Sequence, residues 1–293
     1  MNGWVIYNGA LGVKKIENLV FKISEEAERM GIALEIVANN ELVPVVKPNG
    51  SMSLRALKKL QDPMFIIFWD KDITLARYLE MLGYRLFNSS MAIEACDNKA
   101  LMHLKLAGMR VPKTIIGPFA FFNQSLSDEY FEEIIGELGE EVILKESYGS
   151  FGMQVYKLKG VNQLKAKISD IKNSHFIIQE VVKTSLGRDI RVNIVGEKII
   201  GAMQRSNAAD FRANITLGGK GELITLTEAQ KKTALQAHAA LNLDFSGVDL
   251  LFGDDGEPVI CEVNSNVNFL SFESVSGVNF SRLILEYIME KVK

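Results

Sequence analysis

Two acidic residues, Asp249 and Glu262, are spaced so that they face each other across a predicted β-hairpin. A run of turn-forming residues, Gly253 to Pro258, separates two segments that are rich in β-forming residues. Pairing Phe252 with Val259 sets the register, and this register places Asp249 directly opposite Glu262. We therefore expect two carboxylates side by side on one face of this hairpin.

Carboxylates that face each other across a ladder repel unless a cation lies between them. Strand alternation places Asn264 on the same face as Glu262, and Mg²⁺ suits carboxylate and amide oxygens better than Zn²⁺ would. The other face is apolar, and its residues are Val248, Leu250, Phe252, Val259, Cys261 and Val263. The polar face is either a Mg²⁺ site formed by Asp249, Glu262 and Asn264 or a solvated surface. The register alone does not decide between them.

A second candidate site combines a lysine with a glycine-rich loop. Lys145 ends an apolar strand pattern, and the loop 149–152, Gly-Ser-Phe-Gly, follows it. Glycines let backbone N–H groups approach an anion closely, so a phosphate group fits here. The P-loop pattern GxxxxGK[ST] does not occur, and a plain hairpin turn is the other interpretation. Lys99, in the first turn of a predicted helix, is likewise either an anion ligand or a surface lysine.

A third cluster of charged and polar side chains follows the apolar segment 176–178. Its residues are Gln179, Glu180, Asp189, Arg191, Arg205 and Arg212. An acid near a strand end can hold ribose hydroxyls, and an arginine can hold a phosphate or a carboxylate in its planar fork. Exposed ion pairs are the alternative, and such pairs contribute only about 0 to 1 kcal/mol to stability.

The elements that would position these side chains follow two patterns. Residues 1–93 alternate between strand and helix, which predicts an α/β unit with a parallel sheet. From Asp97 the pattern restarts with a helix over residues 99–107, and Asp97 is expected to cap it. Strands and helices then alternate to the C terminus, with the extended segment 114–116 at their start.

Composition excludes several classes of function. The 33 Lys and Arg residues nearly balance the 36 Asp and Glu residues, so no basic field favours nucleic acid or an anionic membrane. The two cysteines lie 165 positions apart and the histidines number three, which argues against a zinc site or a disulfide framework. The sequence has neither a signal peptide nor an apolar run of about 18 residues, so we expect a cytoplasmic protein without a membrane partner.

Taken in order along the chain, these motifs resemble the ATP-grasp superfamily and, within it, the RimK-like carboxylate–amine ligases. The resemblance extends from about Asp70 to the C terminus. The matching segments are Asn88-Ser89-Ser90, Asp97-Asn98-Lys99, Val111-Pro112-Lys113-Thr114, Leu144-Lys145, Tyr148-Gly149-Ser150-Phe151-Gly152, Gln179-Glu180, Gly187-Arg188-Asp189-Ile190-Arg191, Asp210-Phe211-Arg212-Ala213-Asn214, Gly218-Gly219, Gly247-Val248-Asp249 and Glu262-Val263-Asn264-Ser265-Asn266.

The resemblance implies an α/β protein of the ATP-grasp fold. An N-terminal Rossmann-like unit, residues 1–93, would precede two α+β subdomains, residues 94–178 and 179–293, that clamp ATP. The implied nucleotide-binding residues are Lys99, Lys145, Ser150, Gln179, Glu180, Val181, Val182, Asp189 and Arg212. The implied Mg²⁺ ligands, with Mn²⁺ as the alternative ion, are Asp249, Glu262 and Asn264. Arg205 and Asn214 would lie at the reacting phosphate.

The implied reaction is an ATP-dependent ligation that releases ADP. A carboxylate attacks the γ-phosphorus of ATP, and an amine then displaces phosphate from the acyl phosphate to form an amide. The expected substrates are an amino acid such as glutamate and a peptide, protein or small metabolite. Self-association is a further expectation, with the apolar stretch 119–122 as either interface or core.

Two other functions stay open on the sequence. Relatives usually carry a proline after the Glu-x-Asn motif, whereas this chain has Val267 and Asn268 there. This departure concerns the loop on the acceptor side and motivates a regulator that binds a nucleotide without turnover. The same nucleotide site could also serve a phosphotransferase that acts on a hydroxyl group.

Overall fold

The computed structural model describes residues 1–119, 126–171 and 174–293. Its strands are β1 (Asn2–Tyr7), β2 (Ala33–Ala38), β3 (Leu42–Val46), β4 (Met52–Ala56), β5 (Phe65–Trp69), β6 (Leu86–Phe87), β7 (Thr114–Ile116), β8 (Glu141–Glu146), β9 (Val155–Lys159), β10 (Phe176–Glu180), β11 (Arg188–Val195), β12 (Lys198–Ser206), β13 (Lys220–Leu223), β14 (Phe245–Phe252) and β15 (Pro258–Asn264). Its helices are α1 (Lys14–Arg29), α2 (Ile73–Met81), α3 (Ser90–Asp97), α4 (Lys99–Lys105), α5 (Asp128–Leu138), α6 (Gly160–Asp170), α7 (Glu228–Ala240), α8 (Leu270–Ser276) and α9 (Phe280–Lys291).

The first sheet is parallel and has the strand order β2-β1-β5-β6. Its strand β5 is buried along its whole length, as expected for an inner strand covered on both faces. Asp70 directly follows β5 and Asn8 directly follows β1, so both lie at the carboxyl edge of the sheet. The predicted parallel arrangement is confirmed. A ribbon of β3 and β4, which the sequence patterns did not predict, extends from this unit.

The second sheet is antiparallel and has the strand order β7-β10-β8-β9. Helices α5 and α6 cover one face, where Leu144 and Ile178 contribute to a separate hydrophobic core. Because side chains alternate along a strand, Lys145 and Gln179 lie on the other face. The stretch 119–122, a candidate interface, is described only at Phe119, whose ring lies 4.1 Å from that of His175. Residues 120–122 lie outside the described residues.

The third sheet is antiparallel and has the strand order β13-β12-β11-β14-β15. One of its faces packs on α3, α4 and α7 through residues such as Val192, Val248 and Leu250. The opposite face carries charged side chains. Helices α3 and α4 therefore pack against the third sheet, and β10 of the second sheet extends to Glu180. The domain boundaries at residues 93 and 178 stay a prediction.

The N-terminal cap of helix α4 is Asn98. The sequence pattern had predicted Asp97, and this prediction is wrong. The Asn98 side-chain oxygen accepts a hydrogen bond from the Leu101 amide at 3.1 Å. Asp97 is still the last residue of α3, and its carboxylate pairs with Lys71. Because α3 occupies the chain up to Asp97, Asn98 is the first residue free to adopt the extended backbone that a cap needs. Helix α4 also ends at Lys105, two residues earlier than residue 107.

The hairpin of β14 and β15 combines a correct and an incorrect prediction. Asp249 pairs with Glu262 as predicted. Near the turn, however, Phe252 pairs with Pro258, so the predicted pairing of Phe252 with Val259 is wrong. The register shifts by one residue between the turn and the two acids, and this shift compensates for the error at the turn.

Cys261 is the residue left over at this shift. Leu250 pairs with Ile260 and Asp249 pairs with Glu262, so Cys261 bulges from β15 without a partner on β14. The predictions that Val259 and Cys261 lie on the apolar face are wrong, because Val259 pairs with Leu251 and Cys261 has no partner. The Cys261 thiol lies 3.7 Å from the Lys145 ammonium group and lines the cavity described below.

No helix in the described ranges is both long and apolar enough to cross a lipid bilayer.

Candidate active site

A cavity of about 640 Å³, called the cleft below, lies where the three sheets meet. Every residue that the sequence predicted for the site lines it. These residues are Lys99, Lys145, Ser150, Gln179, Glu180, Val181, Val182, Asp189, Arg205, Arg212, Asn214, Asp249, Glu262 and Asn264. The location of these side chains therefore agrees with one shared site, while their individual roles stay predictions.

Lys99 and Lys145 are buried in the wall of the cleft, with 5% and 7% of their surface exposed. The Lys99 ammonium group lies 3.5 Å from the carbonyl oxygen of Gly149 in the glycine loop. Within the described part of the chain, neither lysine forms an ion pair. Burial lowers the pKa of Lys99, although the nearby Glu262 opposes this effect. Because a buried ammonium group without a counter-ion is costly, the two lysines indicate a site for an anion.

The glycine loop closes the cleft on the side of residues 210–214. Gly152 has φ +75°, and a Cβ atom there would lie 3.1 Å from the side-chain oxygen of Asn214. The Arg212 guanidinium group donates to the carbonyl oxygen of Gly152 and pairs with Asp210 at 2.7 Å. The loop is also tied to α4, because the Lys99 amide donates to the Ser147 carbonyl oxygen at 3.0 Å. These contacts bring the second and third sheets together around the cleft.

A buried ion-pair network joins strands β11, β12 and β14. Both carboxylate oxygens of Asp189 accept hydrogen bonds from Arg205, at 2.7 and 2.6 Å. Arg205 also lies 3.0 Å from an oxygen of Asp249. Arg191 donates to both carboxylate oxygens of Asp249, and its Nη2 atom lies 2.8 Å from Oδ2. These side chains lie on one face of the sheet because neighbouring strands pair Asp189 with Arg205 and Arg191 with Asp249.

The network changes the proton affinity of its members. Burial acts to raise the pKa of Asp249, but the charges of Arg191 and Arg205 outweigh it and hold that pKa below its ordinary value. Burial dominates for Asp189 and raises its pKa, although Arg205 opposes this. Burial acts to lower the pKa of Arg205, and the two carboxylates more than offset it. Asp249 is therefore ionised at neutral pH.

Asp249, Glu262 and Asn264 offer a donor set that fits a hard divalent cation. Glu262 makes no ion pair among the described residues and is free to bind a cation. The Asn264 side-chain nitrogen faces Gly247 and Asp249 at 3.4 and 3.5 Å, which leaves its oxygen available. The two arginines use three of the four lone pairs of the Asp249 carboxylate, which leaves one lone pair on Oδ1 for a cation. Carboxylate and amide oxygens are ligands that Mg²⁺ prefers.

Gln179 and Glu180, at the end of β10, are held by neighbours on both sides of the strand. The Glu180 carboxylate accepts a hydrogen bond from the Lys113 amide at 2.8 Å. The Gln179 side-chain nitrogen lies 2.8 Å from the Thr114 hydroxyl oxygen and 3.0 Å from a ring nitrogen of His103. The end of β10 is therefore rigid before any ligand enters the cleft.

Sequence reasoning missed several residues around the cleft. His103 lies one helical turn after Lys99 on α4, and this spacing of four residues could have indicated a shared face. Asn266 and Asn268 continue the alternation of Asn264 and line the cleft, whereas Val267 between them is fully buried in the hydrophobic core. Asp70 reaches the cleft from the first sheet, and no pattern in the sequence linked it to the other residues.

Known proteins are similar in sequence to this chain over most of its length. A family model described as a RimK-like ATP-grasp domain matches residues 97–288. An uncharacterized protein of Mycoplasma pneumoniae, the MG012 homolog, is 38% identical over 230 residues, which are 76% of this chain and 79% of that protein. Human N-acetylaspartylglutamate synthase A is also 38% identical, over 75% of this chain and 56% of its own length. This chain thus spans little more than half of the human synthase.

Solved structures of low sequence identity share the fold. D-alanine–D-alanine ligase from Bacillus anthracis in complex with ATP superimposes with a TM-score of 0.75 at 19% identity, over 100% of this chain and 97% of that one. The ATP-grasp ligase PsnB with its minimal precursor gives 0.71 at 18% identity, over 99% of both chains. These matches confirm the predicted ATP-grasp fold.

Proposed function

Because this chain belongs to the RimK-like ATP-grasp family of carboxylate–amine ligases, we propose that it joins an amino acid to a carboxylate substrate in the cleft, using ATP and Mg²⁺. The class of enzyme, an ADP-forming ligase that makes a C–N bond, follows from the family. The substrates, the metal and the roles of individual residues are the proposal.

The burial of Lys99 and Lys145 carries this proposal. Both ammonium groups lie in the cleft wall without an ion pair among the described residues, next to a glycine loop. ATP phosphates would supply the missing negative charge. The backbone N–H groups of the loop around Ser150 would add donors to the terminal phosphate. Val181 and Val182, which follow Gln179 at the end of β10, would form the apolar walls for the base.

Asp249, Glu262 and Asn264 would hold Mg²⁺ at the phosphate end of the cleft. When bound, the ion would neutralise charge that develops on the transferred phosphoryl group. Arg191 and Arg205 orient the Asp249 carboxylate for this task through their ion pairs with it.

Arg205 and Asn214 are proposed to contact the reacting groups. The guanidinium group of Arg205 uses Nε and Nη2 in its ion pairs, so Nη1 is the nitrogen without a partner among the described residues. This nitrogen would donate to the acyl phosphate or to the oxyanion that forms when the amine attacks. Asn214 would approach the same phosphate from the side of the glycine loop. The Asp189 carboxylate, proposed to contact the ribose, already accepts two hydrogen bonds from Arg205.

Glutamate is the amine that we propose first. The human relative is named for the synthesis of N-acetylaspartylglutamate, and a relative from Pseudoalteromonas atlantica, 30% identical over 75% of this chain and 72% of its own length, is named a probable alpha-L-glutamate ligase. The carboxylate partner would be a small metabolite, a peptide or a protein. Self-association and a cytoplasmic location belong to the same proposal.

The position of Val267 weakens the case for a regulator without turnover. That alternative was motivated by the residue after the Glu-x-Asn motif. Val267 is fully buried and points into the core, where its methyl group lies 2.7 Å from the place of a Cβ atom on Gly247. It therefore does not face the cleft, and Asn268 does.

The proposed reaction is tested by mass spectrometry of products. The full chain is incubated with ATP, Mg²⁺, an amino-acid library and a panel of carboxylates. We expect ADP, phosphate and an amide whose mass equals the sum of the two substrates minus water. A phosphorylated hydroxyl product would support a phosphotransferase instead, and nucleotide binding without any product would support a regulator.

The anion site is tested by replacing Lys145 with methionine. Lys145→Met keeps most of the apolar side chain but removes the ammonium group and its charge, so we expect ATP binding to weaken by about tenfold to a hundredfold, as for the loss of one charged hydrogen bond. Isothermal titration calorimetry measures the change. Lys113→Met is the matched control, because Lys113 pairs with Glu137 at the surface and does not line the cleft. Equal affinities in the two variants would contradict the role of Lys145.

A further inference from the structure

Gln179 is held in one orientation by two neighbours behind the cleft wall. Only 1% of its surface is exposed, and its side-chain nitrogen lies 2.8 Å from the Thr114 hydroxyl oxygen. That hydroxyl group donates its own proton to the Pro112 carbonyl oxygen at 2.6 Å. The Thr114 oxygen must therefore accept a hydrogen bond from the Gln179 amide nitrogen.

His103 accepts the second proton of the same amide. Its Nε2 atom lies 3.0 Å from the Gln179 nitrogen, and an amide nitrogen only donates. Nε2 must therefore be unprotonated, and the ring proton is on Nδ1. Burial, reinforced by the positive charges of Lys145 and Lys99, lowers the pKa of His103 to about 3, so the ring is neutral at physiological pH.

The imidazole ring is not explained by stability alone. Its Nδ1 atom is buried and has no hydrogen-bond partner among the described residues. A buried donor without a partner is unfavourable, so an apolar side chain of similar size would suit this position better if packing were its only task. The hydrogen bond to Gln179 is what the histidine adds.

The two contacts determine which atom of Gln179 is left for a ligand. Both N–H groups of the amide are used, and Gln179 lines the cleft, so the side-chain oxygen is the atom without a partner among the described residues. Turning the amide by half a rotation would place this oxygen against the lone pairs of Thr114, whose own proton is donated to Pro112. An amide oxygen accepts a hydrogen bond from the amino group of adenine and repels the carbonyl oxygen that guanine has at the same place.

We propose that Thr114 and His103 are positioning residues for the Gln179 amide, with Thr114 setting its orientation and His103 accepting its second proton, so that the cleft selects an adenine nucleotide over a guanine nucleotide. This inference rests on the proposed function, because it needs a nucleotide in the cleft. His103 does not touch the base. It acts through Gln179, from helix α4, which also carries Lys99 toward the phosphates.

The test compares dissociation constants for Mg-ATP and Mg-GTP, measured by calorimetry on the full chain and its variants. The unaltered protein should bind ATP more tightly than GTP. Thr114→Val removes the acceptor that fixes the amide, so the ratio of the GTP constant to the ATP constant should fall by about 5- to 100-fold, the range for one base-specific hydrogen bond. His103→Phe leaves Thr114 in place and should lower the ratio by a smaller factor. His103→Gln returns an acceptor near the position of Nε2 and should restore most of the ratio.

His238→Phe is the matched control. His238 is also buried, and its Nδ1 atom lies 2.7 Å from the Ser246 hydroxyl oxygen, but it lies on α7 and does not line the cleft. This variant should leave the ratio unchanged. If His103→Phe does not fold, as judged by circular dichroism, Thr114→Val decides the question.

The outcomes separate this inference from the proposed function. If the unaltered protein binds neither Mg-nucleotide, the proposed function and this inference both fail. If it binds ATP but the ratio stays the same in His103→Phe and Thr114→Val, or if it binds GTP equally well, this inference alone is overturned.

Discussion

Asp249 and Glu262 face each other across β14 and β15, but their environments differ. The Asp249 carboxylate is 5% exposed and accepts hydrogen bonds from Arg191 and Arg205. Glu262 forms no ion pair within the described part of the chain. Asp249 therefore stabilises the fold through its ion pairs in addition to its proposed role as a metal ligand, whereas the proposed metal site is the one role that we assign to Glu262. A pattern of alternating residues treats the two acids as equivalent, and their ion pairs distinguish them.

This difference predicts unequal effects of mutation. Asp249→Ala leaves the guanidinium group of Arg191 without its carboxylate and removes one of the two carboxylate partners of the buried Arg205, so the free energy of unfolding should fall by about 3 to 5 kcal/mol. Glu262→Ala should change it by less than about 1 kcal/mol, because no ion pair is lost. Both variants should lose ligase activity. Urea denaturation followed by circular dichroism measures the stabilities, and equal losses in the two variants would contradict the assignment.

Helix α4 links the parts of the site at the level of secondary structure. It carries Lys99 in its first turn and His103 one turn later, so the position of its N terminus determines where both side chains lie. Asn98 caps the helix through the Leu101 amide at 3.1 Å. The bulge at Cys261 has a similar effect on β15, because it brings the thiol and Glu262 to the same side of the strand. Shifts of one residue in these elements would misplace the site.

The cap can be tested at the Leu101 amide. Asn98→Ala removes the acceptor of this N–H group, so hydrogen exchange there should become faster and stability should fall by about 1 kcal/mol. Asp97→Ala is the matched control, because it breaks the pair with Lys71 and leaves the cap in place. Hydrogen exchange followed by NMR distinguishes them. Faster exchange at Leu101 in Asp97→Ala, and not in Asn98→Ala, would restore Asp97 as the cap.

At the scale of the whole molecule, the first and third sheets share a hydrophobic core. The Trp69 ring stacks on Phe245 with centroids 5.4 Å apart, and its edge meets Phe269 at 5.8 Å. The second sheet has its own core and meets the third sheet around the cleft. We therefore expect the second sheet, and not the first, to shift when a nucleotide binds.

Asn88 connects the first and third sheets through hydrogen bonds. It is fully buried, and its nitrogen donates to the carbonyl oxygens of Phe245 and Ser265, both at 3.0 Å. Its oxygen accepts from the Asp244 amide at 2.6 Å. Asn88→Ala would leave these backbone groups unpaired, at about 1 to 3 kcal/mol each, so the melting temperature should fall by many degrees.

Thermal denaturation measures this effect, and Asn49→Ala is its control. Asn49 is exposed in the turn between β3 and β4, and within the described ranges its side chain forms hydrogen bonds only with Ser51. Its loss should change the melting temperature little. A similar small change in Asn88→Ala would show that the contact between the first and third sheets does not depend on this residue.

Local pattern was enough to predict much of the site. The pairing of Asp249 with Glu262 was predicted correctly from the hairpin pattern, although the register assumed at the turn was wrong and the bulge at Cys261 compensated for it. The order of the lysines, the glycine loop and the acidic motifs indicated the family before any tertiary contact was known. These features depend on residues that are close in the sequence, so a sequence pattern is enough to detect them.

Tertiary structure alone decided the rest. His103 and Gln179 lie 76 positions apart, and Asn88 lies 157 positions from Phe245, so no local pattern could pair them. The cap at Asn98 and the bulge at Cys261 depend on where the preceding helix ends and on how two strands meet. The cap and the bulge each differ from the predicted position by one residue. Such a shift changes the local energy little, so the packing of distant elements determines it. Packing therefore determines which side chains enter the cleft.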